Sequence, residues 1–320
     1  MTEAKRQASA RILAGTLTLL AREEEGLPSP FALWNSPLTP GFIKEAALKV
    51  ASGLAGAVWA DDSYPARGLL LRQEQALETL ILGQKSVRLA GPWLMDPEPA
   101  DRQRRTAHLA RKAADQEQGP VFMAIKTVHD PAIIRGFAEA GFQVAEISTQ
   151  LAGTLNGDII PEFPFVRHPG LFLKTPEPEE GEKWLRALGE LFYDGHYLHG
   201  PYLPPDFSCK LWQAVTKNQL YQGQPVLFLW EESGQRPVAL AMAAVSGREA
   251  RLSVLHVTED RRGQGLGKLL LLELVRVLIK RQVTSLACET ASYNLPALAL
   301  YQAMGFRIMT PLITFHFRKP

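Results

Sequence analysis

Cysteine is scarce in this 320-residue chain, which contains only Cys209 and Cys288. Both lie in apolar or mixed segments without metal-ligand spacing, so the sequence favours two buried thiols over a disulfide or a zinc site. Long apolar runs are missing as well, because no stretch approaches the roughly 18 apolar residues that a membrane-spanning helix needs. We therefore expect neither a bound metal nor a membrane partner.

A strong charge of one sign is the third absence. The 35 Lys and Arg residues and the 33 Asp and Glu residues leave a formal net charge of +2, which is too small to favour a nucleic-acid partner. Hydrophobic residues make up 46% of the chain and charged residues 21%, values typical of a folded globular protein. A chain of this length has room for two domains of ordinary size.

The N-terminal segment has part of the pattern of a signal peptide, because basic residues precede an apolar stretch at residues 12–21. However, Gly15, Thr16 and Thr18 interrupt that stretch, acidic residues follow it at once, and no small-x-small cleavage site is present. We expect an amphipathic helix here and a cytoplasmic protein.

A glycine-rich segment lies between a predicted strand at residues 250–257 and a predicted helix at 269–280. Glycines let a backbone approach a ligand closely, while the unpaired N–H groups and the dipole at a helix N-terminus favour an anion. The sequence therefore predicts a phosphate-binding loop. Its candidate residues are Arg262, Gly263, Gln264, Gly265, Leu266, Gly267 and Lys268.

Two common nucleotide-binding loops do not fit this segment. A Walker loop needs Ser or Thr after the lysine, but Leu269 follows Lys268, and the spacing of the three glycines is not that of a dinucleotide-binding loop. The pattern that fits is Arg-x-x-Gly-x-Gly, starting at Arg262. A tight turn without a ligand is the alternative, which three glycines and two arginines in such a short segment make less favourable.

A second pattern follows downstream. A buried strand is predicted at residues 283–288, then a polar loop at 289–294 and a short helix at 295–304. The loop and the helix contain Asn-x-x-Ala-x-x-Leu-Tyr-x-x-x-Gly-Phe, formed by Asn294, Ala297, Leu300, Tyr301, Gly305 and Phe306. Elsewhere, strands are predicted at 170–175, 226–230, 238–245 and 313–318, and a helix at 207–220.

The two motifs together, which cover residues 250–310, resemble those of the GNAT acetyltransferase superfamily. The resemblance implies an acetyl-CoA cosubstrate and a three-layer α/β fold with a mixed, mostly antiparallel sheet flanked by helices. It also implies that Asn294 and Ala297 contact the CoA arm. The backbone around Leu255 and Val257 would hold the thioester oxygen.

The resemblance places Tyr301 beside the thioester sulfur as the general acid. A departing thiolate needs a proton or a hydrogen bond, and a phenol is a suitable donor at neutral pH. The alternative is a tyrosine that packs in the core with its hydroxyl satisfied.

The base that deprotonates the amine is left open. His256 lies on the strand beside the expected acetyl position, Glu259 follows it in the loop, and His196 and His199 lie in a predicted acceptor loop at residues 195–206. Water, or no single base, is the remaining alternative.

The N-terminal half contains a segment similar to the second motif. Residues 121–142 and 285–306 share the order strand, polar turn, short helix, Gly-Phe and strand, at a constant offset in residue number. Asp130 corresponds to Asn294 and Phe137 to Tyr301, and no Arg-x-x-Gly-x-Gly precedes the first copy. We interpret the first copy as a partial GNAT-like unit that has lost its catalytic function. The alternative is that the two segments are similar by coincidence.

This tandem arrangement resembles the sugar-nucleotide fucosamine acetyltransferases. It implies a degenerate half at 71–165 and a catalytic domain at 166–320, whereas residues 1–70, which we expect to form a helical N-terminal extension, have no counterpart in that family. The implied acceptor is a small-molecule amine, for example an amino-sugar nucleotide. A peptide N-terminus, another small amine, and a protein that binds acetyl-CoA without turnover are the alternatives, and a homodimer is left open.

Overall fold

The computed structural model describes residues 50, 52, 55–59, 68–94, 98–155, 170–188, 200, 202–233 and 236–320. The chain divides into two compact units. The first unit comprises Met1–Ser148, His199–Pro204 and Thr310–Pro320, and the second comprises Thr149–Leu198 and Pro205–Met309. The domain boundaries expected near residues 70 and 165 stay predictions, and residue 165 itself lies outside the described residues.

The strands are β1 (Ala55–Trp59), β2 (Gly68–Glu74), β3 (Lys85–Leu94), β4 (Val121–Val128), β5 (Gln143–Thr154), β6 (Leu171–Lys174), β7 (Val226–Glu231), β8 (Arg236–Ser246), β9 (Glu249–Val257), β10 (Ser285–Ala291) and β11 (Arg307–Lys319). The helices are α1 (Ala76–Leu82), α2 (Pro99–Asp115), α3 (Pro131–Glu139), α4 (Pro178–Ala187), α5 (Phe207–Tyr221), α6 (Leu266–Lys280) and α7 (Leu295–Ala303), with a 3₁₀ turn at Glu259–Arg261.

The first unit is built on a mixed sheet with the strand order β1-β2-β3-β4-β11. Strands β3 and β4 run parallel, because α2 connects them as a crossover, whereas β1 with β2, β2 with β3 and β4 with β11 are antiparallel pairs. The core on one face of this sheet includes Leu109, Met123, Phe137 and Phe315, contributed by α2, α3 and the sheet. Within the helical extension expected at residues 1–70, β1 is a strand, and residues 1–49 lie outside the described part.

The second unit has the strand order β5-β10-β9-β8-β7-β6. Strands β6 to β9 pair antiparallel in succession, and β9 pairs in parallel with β10 through the crossover helix α6. Helices α6 and α7 contribute to the core on one face, and α4 and α5 to the core on the other. This confirms the predicted three-layer α/β arrangement of a mixed sheet flanked by helices.

The constant offset between the two similar segments recurs in the element boundaries. Strands β4 and β10 begin at residues 121 and 285, α3 and α7 cover 131–139 and 295–303, and β5 and β11 begin at 143 and 307. The turn after each helix is also alike, since the Phe142 N–H donates to Phe137 O and the Phe306 N–H to Tyr301 O, both at 3.0 Å. The repeat seen in the sequence is therefore a repeat of backbone structure.

None of the helices in the described residues is both long and apolar enough to span a membrane. Across the same parts of the chain, no three His, Cys, Asp or Glu side chains group in a way that could hold a metal ion.

Candidate active site

The predicted phosphate-binding loop lies between the end of β9 and the start of α6. Gly263 and Gly265 have φ angles of 75° and 78°, a conformation that residues with a Cβ avoid, and an added Cβ at either position would meet no atom within 4 Å. In α6, the Leu269 N–H donates to Gly265 O at 3.1 Å, so the N–H groups before Leu269 precede the regular helical bonds. The loop therefore combines open space with helix N–H donors, as an anion site requires.

The two consecutive arginines of the loop have different partners. The exposed Arg262 donates from Nε to the backbone oxygen of Val257 at 3.2 Å, which holds its stem against the end of β9. Arg261 instead forms an ion pair with Glu231, at the end of β7. Arg262 is thus the arginine that combines exposure with a position at the glycines.

Strands β9 and β10 separate beside this loop. Their parallel pairing extends from Glu249–Ser285 to Arg251–Ala287 and stops there, although β9 continues to Val257 and β10 to Ala291. On its other side, β9 stays paired with β8 as far as Val257. The backbone of residues 252–257 therefore faces an opening between two diverging strands. We call this region the β9–β10 opening.

A bulge in β9 precedes the end of the strand. Met242 pairs with Val254 and Ala243 with Leu252, which leaves Ser253 as the extra residue. The Gln219 side chain of α5 donates from Nε2 to Ser253 Oγ at 2.9 Å. The bulge changes which β9 side chains face each side of the sheet beyond this point.

As a result, His256 lies on the side of the sheet that α4 and α5 cover. Its partner in the register is Leu240, which belongs to the core on that side. Burial, together with the nearby Arg262 guanidinium, lowers the pKa of His256 to about 4. The imidazole is therefore neutral at physiological pH.

Tyr301 lies on α7 in the core on the other side of the sheet and is 5% exposed. Its ring is 5.8 Å from that of Phe306, measured between centroids. Burial, and secondarily the neighbouring Cys288, raises the pKa of Tyr301 above its ordinary value, so the phenol keeps its proton. Burial also raises the pKa of Cys288 to about 12, which makes it a thiol rather than a thiolate.

Asn294 and Ala297 are brought together by a helix cap. Asn294 Oδ1 accepts a hydrogen bond from the Ala297 N–H at 3.2 Å and so caps α7. Asp130 caps α3 in the same way, accepting from the Ala132 N–H at 2.7 Å. Asn294 thus stabilises the start of α7, and its amide group can contact a ligand at the same time.

One ion pair at the opening was not predicted from the sequence. Arg251 of β9, in the last pair of the register, has its Nη2 2.8 Å from Oε2 of Glu289, which lies two residues beyond that pair on β10. The equivalent residues of the first unit, at the offset of the repeat, are Val87 and Ile125, and both are buried. A charge alternating with apolar residues in a strand usually indicates a solvent-facing position, so the sequence carried no specific signal for this pair.

Among the other candidate bases, Glu259 lies within the described residues and is exposed in the 3₁₀ turn. His196 and His199 lie outside the described residues, as does the rest of the predicted acceptor loop before Gly200.

Part of the chain is similar in sequence to known proteins. Residues 185–306 match the model of the Acetyltransferase (GNAT) family. Over 89 residues the chain is 36% identical to the [ribosomal protein bS18]-alanine N-acetyltransferase of Escherichia coli (strain K12), an alignment that covers 28% of this chain and 60% of that protein. The enzyme of the same name from Salmonella typhimurium matches equally. The chain thus spans less than two thirds of these curated relatives.

Two solved structures share the fold along nearly the whole chain. One is a GCN5-related N-acetyltransferase from Sphaerobacter thermophilus, with a TM-score of 0.62, 15% identity, and coverage of 100% of this chain and 95% of the other. The second is a tandem GNAT protein from the clavulanic acid biosynthesis pathway, with a TM-score of 0.57, 15% identity, and coverage of 96% and 95%. The family model thus matches a segment that extends from α4 to the end of α7, and the two solved structures show a shared fold.

Proposed function

We propose that this protein is an acetyl-CoA-dependent N-acetyltransferase that transfers the acetyl group to a primary amine by direct attack. The observation that carries the proposal is the β9–β10 opening beside the N-terminus of α6. An elongated donor with a pyrophosphate in its middle and a thioester at one end matches an anion site that continues into a strand edge. In this proposal residues 166–320 form the catalytic domain, and residues 71–165 form a degenerate half.

The described residues fit such a donor. The open space at Gly263 and Gly265 leaves room for a pyrophosphate, and a side chain at either position would occupy that space. Arg262, Lys268 and the first N–H groups of α6 supply positive potential around that space. Leu255 and Val257, half-buried on β9, lie where the arm of the donor would run along the opening.

Two groups of the chain would act on the bound donor. When bound, the donor supplies an acetyl group activated as a thioester. The backbone N–H groups around Leu255 to Val257 would hold the thioester oxygen and stabilise the charge that develops on it. Tyr301, with its phenol protonated, would donate a proton to the departing thiolate.

His256 is the base that we favour among the candidates. It is half-buried and lies on the side of the sheet covered by α4 and α5, which flank the predicted acceptor loop in the sequence. Tyr301 belongs to the core on the opposite side. With a base on the acceptor side and an acid on the other side, His256 would accept a proton from the amine while Tyr301 donates a proton to the thiolate.

The acceptor is a primary amine on a protein or on a small molecule. The matched relatives, whose names give an alanine of ribosomal protein bS18, support a protein or peptide amine. The backbone repeat supports the second candidate, an amino-sugar nucleotide, because it agrees with the resemblance to tandem sugar-nucleotide acetyltransferases. Acetyl-CoA is a cytosolic metabolite, which supports a cytoplasmic location for either reaction.

The decisive experiment measures thiol release from acetyl-CoA with a panel of amines that includes peptides with an N-terminal alanine, amino-sugar nucleotides and simple amines. We expect turnover with one class and binding of acetyl-CoA in the absence of any acceptor. Binding without turnover on any amine would support a non-catalytic acetyl-CoA-binding protein, and absence of binding would contradict the proposal as a whole.

A further inference from the structure

Four charged residues connect the β7–β8 hairpin to the phosphate-binding loop. Glu231 ends β7 and pairs in the register with Arg236, which begins β8. Glu231 forms an ion pair with Arg261, and Arg236 forms one with Asp260, so two links reach the 3₁₀ turn before the glycines. Arg236 Nε also lies 3.5 Å from Glu231 Oε2. We call these residues, Glu231, Arg236, Asp260 and Arg261, the hairpin–loop network.

Because Glu231 is buried, the Glu231–Arg261 ion pair is the contact of this network whose loss would cost the most free energy. The side chain of Glu231 is only 9% exposed, whereas that of Arg261 is 34% exposed. If Arg261 turned towards a bound phosphate, Glu231 would keep only the more distant contact with Arg236. Leaving a buried carboxylate with a weaker partner costs free energy, so Arg261 is held at Glu231.

Backbone hydrogen bonds hold the same turn. The Thr258 N–H donates to Val238 O of β8 at 2.9 Å, and the Arg261 N–H donates to Thr258 O, also at 2.9 Å. Arg262 and the two glycines with positive φ follow immediately. A displacement of the turn would therefore move the residues that surround the pyrophosphate space.

We infer that Arg261 is a positioning residue that, through Glu231, fixes the phosphate-binding loop in its donor-binding shape, while Arg262 is the arginine that contacts the phosphates. This inference rests on the proposed function for the identity of the ligand. It gives two adjacent arginines different roles, in which Arg262 contacts the ligand and Arg261 supports the loop.

The test is a double-mutant cycle in which the binding of two acetyl donors is measured. We would measure the dissociation constants of acetyl-CoA and of acetyl-pantetheine, which lacks the pyrophosphate and the nucleotide, for wild type, Glu231→Gln, Arg261→Gln and the double variant. Each single variant should weaken acetyl-CoA binding about fivefold, the usual size of a lost ion pair, and the double variant by no more than either single one. Binding of acetyl-pantetheine should stay unchanged.

Arg262→Gln provides the contrast. Combined with Glu231→Gln, it should weaken acetyl-CoA binding more than either single variant does, because it removes a ligand contact that displacement of the loop does not fully abolish. Additive losses for Arg261→Gln and Glu231→Gln would show instead that Arg261 contacts the phosphates itself, and tighter binding in Glu231→Gln would show the same. Arg104→Gln, which removes an exposed ion pair with Asp101 in α2, controls for the loss of any surface arginine.

Hydrogen exchange without ligand tests the inference separately from the proposed function. The amides of residues 258–268 should exchange faster in Glu231→Gln and Arg261→Gln than in wild type, and at the wild-type rate in Arg104→Gln. Unchanged exchange in the first two variants would overturn the positioning role. By contrast, failure of the wild-type protein to bind acetyl-CoA would count against the proposed function alone.

Discussion

At the scale of single residues, Tyr301 and Phe137 show what one hydroxyl group contributes. They occupy equivalent positions of the repeat near the ends of α7 and α3, and each ring packs against the phenylalanine that follows its helix, Phe306 or Phe142. Phe137 is fully buried, with a ring-centroid distance of 5.4 Å to Phe142. The first unit thus demonstrates that phenylalanine is compatible with this packing.

The Tyr301→Phe variant should therefore fold normally and lose most of its acetyl-transfer activity. Removing the phenol takes away the proposed proton donor while keeping the ring, so single-turnover acetyl transfer should fall on the order of 10²–10⁴-fold with acetyl-CoA affinity nearly unchanged. Rapid-quench kinetics with a good amine acceptor would measure this. Tyr221→Phe, at an exposed tyrosine of α5, is the matched control. Full single-turnover chemistry in Tyr301→Phe would assign the proton donation to water or another group.

Gly265→Asp tests the phosphate site. The substitution puts a carboxylate into the open space next to the start of α6, where it should repel the pyrophosphate, and calorimetry should show acetyl-CoA binding reduced at least tenfold, equivalent to about 1.4 kcal/mol. Gly247→Asp provides the matched control, because Gly247 also has a positive φ and an open Cβ position but lies in the β8–β9 turn. Equal affinity in the two variants would contradict the assignment of the loop.

His256 couples stability to pH. Its pKa is about 4 in the folded protein, below the ordinary value of 6.5, so the unfolded chain binds a proton that the folded protein rejects between these pH values. The stabilisation is complete above pH 6.5 and is lost as the pH falls towards 4, by on the order of 3 kcal/mol.

His256→Gln should accordingly flatten the dependence of the unfolding free energy on pH between 6.5 and 4, as measured by urea denaturation. His108→Gln, at an exposed histidine of α2, should leave the wild-type slope in place. A wild-type slope in His256→Gln would show that the imidazole is not the group responsible.

At the scale of elements, the two parallel strand pairs differ in how far they stay together. In the first unit β3 and β4 pair from Lys85–Val121 to Leu89–Ile125, and in the second unit β9 and β10 pair from Glu249–Ser285 only to Arg251–Ala287. The starts of the two registers are related by the offset of the repeat, so the two units share one strand arrangement, and the pairing in the first unit continues for two residue pairs longer. The opening follows from the early end of pairing rather than from a different topology.

The cap of α7 allows a test that separates a structural role from a ligand contact. Asn294→Asp keeps an oxygen for the Ala297 N–H, whereas Asn294→Ala removes it and should lower the unfolding free energy by about 1 kcal/mol. If the amide also contacts the donor, both variants should bind acetyl-CoA more weakly, although only the Ala variant is destabilised. Asp130→Ala, at the corresponding cap of α3, should lower stability and leave acetyl-CoA affinity unchanged. Wild-type affinity in Asn294→Asp would confine Asn294 to capping.

At the scale of the whole molecule, the chain should bind one acetyl-CoA. In the first unit, α2 begins with Glu98 as its N-cap and Asp101 in its first turn, whose charges disfavour a phosphate. Isothermal titration should therefore give a stoichiometry of one, and Gly265→Asp should weaken that single binding event. Two equivalent sites would refute the interpretation of the first half as degenerate.

Much of the fold was predictable because its signals are local. The turn that ends α7 at Gly305, the polar loop before Pro296, and the apolar pattern of α6 each depend on residues close together in the sequence. The backbone repeat was visible for the same reason. The end of the chain was less accessible, since the strand predicted at 313–318 extends over Arg307–Lys319, and its residues from Thr310 onward belong to the first unit.

By itself, the sequence determined the glycine loop between strand and helix, the tyrosine of the second motif and the order of the elements. The tertiary structure decided where β9 and β10 part, that a bulge at Ser253 turns His256 towards α4 and α5, and that Arg261 pairs with Glu231 while Arg262 stays exposed. The physical reason is the range of the interactions. Helix formation, capping and turns are set by neighbouring residues, whereas strand register and ion pairing depend on partners that only the folded chain brings together.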